Sequence, residues 1–137
     1  MTDLDTSLAT YARQLRRSGL AVLVSDLLSP NGYQPGIDAL LARRQDVVVV
    51  HILAPDELEP SAEIVGEWRL LDVESDRPLD ATITPSVVRA YKRLLGRYTD
   101  EAADCCRRRG VTYLLLRSDV QVEDVLLRTF RRAGVLV

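Results

Sequence analysis

The sequence predicts an α/β fold: a three-layer, mainly parallel sheet of three core strands flanked by helices, with a β-hairpin insertion. Three observations carry that expectation. Ala21–Val24, Val47–Ile52 and Val111–Leu116 are short apolar runs of strand length. The segments around them place apolar residues at helical spacing. A strand, a helix and a second apolar strand in succession imply a right-handed parallel crossover.

In chain order, Leu4, Leu8, Tyr11, Ala12 and Leu15 form one helical stripe, which Ser18-Gly19 stops. The run from Leu20 to Ser25 reads as a strand buried on both faces, followed by a loop from Asp26 to Gly32. Gln34 to Arg44 reads as a helix with Pro35 in its opening turn and Ile37, Leu40 and Leu41 on one face. Val47 to Ile52 is the strongest strand signal, with four consecutive valines followed by His51 and Ile52.

Two prolines end that strand, so Ala54 to Pro60 is expected to be a loop holding one helical turn. Trp68–Glu74 and Leu79–Ile83 alternate about the polar turn Ser75-Asp76-Arg77-Pro78, which favours a hairpin. Thr84-Pro85 opens a long amphipathic helix whose stripe runs from Val87 through Tyr91, Leu94 and Tyr98 to Cys105. Gly110 ends it before the third strand. Ser118 or Asp119 caps a final helix carrying Val122, Val125, Leu126, Leu127 and Phe130, and Gly134 stops that helix. Val135-Leu136-Val137 packs as a tail or adds an edge strand.

Composition narrows the function classes. A chain of 137 residues is one domain in size, and 47% apolar with 28% charged residues excludes global disorder. The net charge of −2 gives no electrostatic reason to bind nucleic acid or an anionic membrane. Lys92 is the single lysine among eighteen basic residues; the short runs Arg107-Arg108-Arg109 and Arg131-Arg132 suit helix ends. Cys105 and Cys106 are adjacent, so they make neither a disulfide framework nor a Cys-x-x-Cys redox site; one is expected inside a helix and the other near its boundary. The opening residues lack the pattern of a signal peptide and no run reaches membrane-spanning length, so a cytoplasmic protein is expected.

In a parallel sheet ligands are met at the carboxyl ends of strands. That rule gathers Asp26, His51, Asp56, Ser118 and Asp119 into one candidate cluster of acid, base and hydroxyl groups. Each has a plainer role: a loop or cap for Asp26, Ser118 and Asp119, a neutral hydrogen-bonded ring for His51, a solvated acidic loop for Asp56. His51 is the only histidine, so a multi-histidine zinc site within one chain is excluded. The chain lacks a dinucleotide-type glycine loop, a phosphate-binding loop and a nucleophile elbow, and no cofactor is expected. Trp68 reads as hairpin packing or as an exposed partner contact.

Ala21–Leu28, Asp46–Leu53 with Pro55-Asp56-Glu57-Leu58, and Gly110–Leu116 together resemble the carboxyl-terminal part of the von Willebrand factor A-like domain of a large bacterial family of unknown function. Members are commonly associated with MoxR-type ATPases. The resemblance implies a partial von Willebrand factor A-like or Rossmann-like topology and a single truncated domain over residues 1–137. It also implies that Asp26 matches a strand-end aspartate of a divalent metal adhesion site. The family's Asp-x-Ser-x-Ser ligand segment has no match, so no metal is expected. Loss of the strand that usually neighbours Leu20–Ser25 would leave an edge open to self-association.

The leading expectation is a noncatalytic interaction or scaffold module, with a homo-oligomer or a MoxR-type ATPase as partner. The competing expectation is a weak metal-dependent hydrolase or phosphoryl-transfer enzyme, which requires Asp26 to approach His51, Ser118 or Asp119. An adhesion-type module completed by a partner's ligands is a third.

Overall fold

The computed structural model describes residues 3–71, 78–125, 130, 131 and 134. Helix α1 (Leu4–Gln14) is capped by Asp3, whose carboxylate accepts from the Thr6 amide at 3.1 Å. Strand β1 (Gly19–Ser25), helix α2 (Gln34–Ala42) and strand β2 (Gln45–Leu53) follow, and then the single-turn helix α3 (Pro55–Leu58). The hairpin pairs β3 (Gly66–Leu71) with β4 (Pro78–Ile83) as a separate antiparallel sheet, and its turn at Ser75-Asp76-Arg77 lies outside the described residues. Helix α4 (Pro85–Arg108) is capped by Thr84, and strand β5 (Thr112–Arg117) leads into the short helix α5 (Val122–Asp124). Leu126, Leu127 and the tail Val135-Leu136-Val137 fall outside the described residues.

The main sheet has the order β1-β2-β5, all parallel, so the three apolar runs lie side by side and end in the same direction. This order marches one way, and successive right-handed crossovers therefore place α2 and α4 on the same face. Helix α1 joins them there, crossing α2 where Gly36 leaves room: a Cβ at that position would stand 2.6 Å from Leu8 Cβ. Leu23, Ile37, Leu40, Val47, Val49, Ala102, Cys105 and Cys106 make the core between these helices and the sheet. The opposite face is covered over Val48 and Val50 by Phe130, with Val125 packed alongside.

That one-sided layering corrects two expectations. Strand β1 is not buried on both faces: Leu20, Val22 and Val24 are 50%, 41% and 58% exposed, while Leu23 between them is buried. The reason is topological, since no crossover helix belongs to that side of β1. The apolar stripe of α4 is likewise buried only in its second half, at Ala102, Cys105 and Cys106, whereas Val87, Tyr91 and Leu94 are exposed. A helix of 24 residues is about 36 Å long and the six-residue β5 about 20 Å. The first half of α4 therefore overhangs the sheet. Both cysteines are buried and free, Cys105 inside α4 and Cys106 near its end at Arg108, as the sequence led one to expect; burial pushes the Cys106 thiol up to about 11, aided by Cys105 and opposed by Arg109.

Candidate functional site

The carboxyl ends of the strands hold a buried polar knot. Ser25 pairs in register with His51, and His51 with Leu115. As β1 ends, Ser25 Oγ accepts from the Leu27 amide at 3.0 Å and Asp26 Oδ1 from the Leu28 amide at 2.9 Å. Leu27 sits between these two turns at φ +60° with its side chain buried, a left-handed conformation held in place by the surrounding bonds. The turn presents the Asp26 carbonyl to Tyr98 of α4, whose hydroxyl donates to it at 3.2 Å.

His51 lies on the helix-covered face and is fully buried. Its Nδ1 is 2.7 Å from Tyr113 Oη, and the rings of Tyr98 and Tyr113 meet it edge-on at 5.6 and 5.9 Å. Burial pushes the Tyr113 hydroxyl up to about 12, so it keeps its proton; a protonated hydroxyl donates to Nδ1 or accepts from it according to the tautomer, and the ring's other nitrogen is Nε2. That atom is buried without a hydrogen bond of good geometry. Burial holds the proton affinity of the ring below its usual value; the Asp26 backbone and the charges of Asp26 and Glu57 offset part of that effect. Burial likewise raises Tyr98, with the Asp26 charge adding to it. The knot is thus neutral at pH 7, apart from the nearby carboxylates.

The other sequence-nominated residues do not join it. Asp56 lines an apolar cleft of about 330 Å³ with Glu57, Pro60, Ile64, Ile83, Val87, Val88 and Tyr91, beneath the overhang of α4. Ser118 donates its amide to the Leu53 carbonyl at 2.9 Å and lines a cavity on the opposite face of the sheet. Asp119 takes both of its contacts from Arg117, at 3.0 and 2.7 Å, and this ion pair lowers the Asp119 pKa and raises that of Arg117. Trp68 stands on the hairpin, 45% exposed, with its indole N–H donating to the Ile64 carbonyl at 2.6 Å. Ile64 belongs to the cleft, so the tryptophan is tethered to its rim.

Sequence reasoning placed Tyr98 in a packing stripe and Tyr113 in a strand, without their polar roles. Glu57, read with Asp56 as part of a solvated acidic loop, has a local role instead: its Oε2 accepts from the Ala54 amide at 2.6 Å and closes the first turn of α3. The strand-end aspartate does not fit a divalent metal site. Its Oδ1 accepts from the Leu28 amide, and among the described residues no three His, Cys, Asp or Glu side chains come together to hold an ion beside it. No helix among those residues is long and apolar enough to cross a membrane.

Residues 1–103 match the model of the family described as "Protein of unknown function DUF58". The chain belongs to that family. The matched span contains Asp26, His51, Asp56, Trp68 and Tyr98, and ends within α4, so Tyr113, Ser118 and Asp119 lie beyond it. The chain is similar to an uncharacterized protein of Mycobacterium avium, at 29% identity over 117 residues, which covers 85% of this chain and 68% of that protein. It is similar also to uncharacterized proteins of Mycobacterium bovis and Mycobacterium tuberculosis, each 30% identical over 136 residues. Those alignments cover 98% of this chain and 42% of each relative, so the chain spans about two-fifths of their length. No solved structure matches the chain.

Proposed function

We propose that this DUF58 chain is a noncatalytic protein-interaction module, with a von Willebrand factor A-like fold, that acts in the cytoplasm with a MoxR-type ATPase. The observation that carries the reading is the apolar cleft under the overhanging half of α4. Ile64, Ile83, Val87, Val88 and Tyr91 line it, Trp68 is tied to its rim, and Leu94 extends the exposed stripe along the helix. Exposed aromatic and aliphatic side chains of this kind, grouped about a concave surface, are what a protein partner buries. The partner's class comes from the family resemblance.

The polar knot supports a structural role. His51 has no exposed surface through which to take a substrate proton, Asp26 Oδ1 accepts from a turn amide, and Ser118 opens onto the other face of the sheet. Titration calorimetry with a purified MoxR-type ATPase tests the reading. Binding that weakens at least tenfold on Trp68→Ala or Tyr91→Ala, with the fold intact by circular dichroism, is the expected result. Absence of binding, or binding indifferent to both substitutions, overturns it.

A further inference from the structure

Strand β1 has a second surface that the cleft does not use. Among the described residues it pairs only with β2, and its outer edge takes no strand from them. Its sequence, Gly19-Leu-Ala-Val-Leu-Val-Ser25, holds no charge and no proline, the usual protections of an exposed edge. Leu20, Val22 and Val24 add an exposed apolar row along the same strand, continuous with a cavity of about 560 Å³ lined by Val22, Val24, Val50, Ile52, Leu116 and Phe130. Backbone groups in this arrangement are satisfied by another β-strand, and the charges at the two ends of β1 indicate which one.

We propose that two copies of this chain pair their β1 strands antiparallel about a two-fold axis at Val22, forming a continuous six-stranded sheet. The strand is bounded by the bend at Arg17 and by the left-handed Leu27, so full overlap sets Gly19 opposite Ser25 of the second copy and Val22 opposite Val22. In that register the exposed Arg16 and Arg17 before β1 come beside the exposed Asp26 after β1 of the other copy, and the symmetry repeats the pairing. A parallel arrangement would instead set arginine against arginine. Leu20 of each copy meets Val24 of the other across the junction, on one face, because residues opposite each other in a ladder point the same way. The interface is isologous and closes at two copies. It concerns a different surface from the α4 cleft and stands without it.

Sedimentation equilibrium of the full chain, combined with cross-linking, tests the pairing. Opposed residues in an antiparallel ladder lie about 4.5–5.5 Å apart at Cα, within disulfide reach. Val22→Cys is therefore expected to give a disulfide dimer on mild oxidation. Leu94→Cys, exposed on α4 and not among the residues lining that cavity, and the unaltered chain with its two buried cysteines are expected to give none. Val24→Lys is expected to raise the dimer Kd at least tenfold, and added salt to raise it further. A folded chain that stays monomeric at hundreds of micromolar overturns the proposal. So does a dimer that Val22→Cys fails to trap and Val24→Lys leaves unchanged, or a β1 edge protected only when a foreign strand-forming peptide is added.

Discussion

The two faces of the main sheet at its β1 edge are built from the same kinds of residue and have opposite fates. On β1 and β2, Leu23 and Val49 point to the helices and are buried, Val49 completely. Val22 and Val24, one pleat step away, point to the other side and remain largely exposed. Side-chain hydrophobicity does not separate them. The handedness of the crossovers does, since a strand order that advances in one direction brings every connecting helix to a single side.

Substitution should reproduce that asymmetry. Ile37→Ala, at a fully buried position of α2, is expected to cost about 2–5 kcal/mol in urea denaturation. Val24→Ala, measured below the association range, should change stability by no more than about 0.5 kcal/mol. Comparable losses at the two positions would break the comparison. Gly36→Ala sharpens it from the layer above, because the added Cβ would stand 2.6 Å from Leu8 Cβ and force α1 away from α2, at a cost of about 1–3 kcal/mol.

The buried knot belongs to the helix-covered face and should behave as core. Tyr113→Phe strips His51 Nδ1 of its partner without changing ring packing, and should cost about 1–3 kcal/mol by the same denaturation assay. The smallest effect is on pH dependence. The folded His51 has a pKa below its unfolded value of 6.5, so the unfolded chain binds the proton first as pH falls. Its contribution to stability is present above about pH 6.5 and is lost at up to about 1.4 kcal/mol per unit as pH falls from there toward the folded value. Replacing His51 with Gln should remove that part of the pH profile, which a stability titration between pH 7 and 5 would detect.

Much of the architecture was legible in the sequence because the apolar runs, the Thr84-Pro85 helix start and the glycine stops are local signals. The parallel order followed from them. What remained hidden depends on elements distant in sequence. The exposure of Val22 and Val24 is set by where α4 returns, and the overhang of Tyr91 and Leu94 by the mismatch between the lengths of α4 and β5. Among the nominated residues, Asp26 and His51 do lie near each other, as strand ends in register must. Asp56 and Ser118 follow their loops to separate cavities, and Asp119 is held by its neighbour Arg117. Tyr98 and Tyr113 carried no local sign of a hydrogen bond, since the partner of one is a backbone carbonyl 72 residues away and that of the other a histidine 62 residues away.

The most direct test of the claim that the helix-covered face is core while the outer face of β1 is surface compares the same substitution on each. Equilibrium denaturation of Val24→Lys and Val49→Lys, at concentrations where the chain is monomeric, is predicted to leave the first within about 0.5 kcal/mol of the unaltered chain and the second without a folded baseline. Unfolding by Val24→Lys, or tolerance of Val49→Lys, would contradict it.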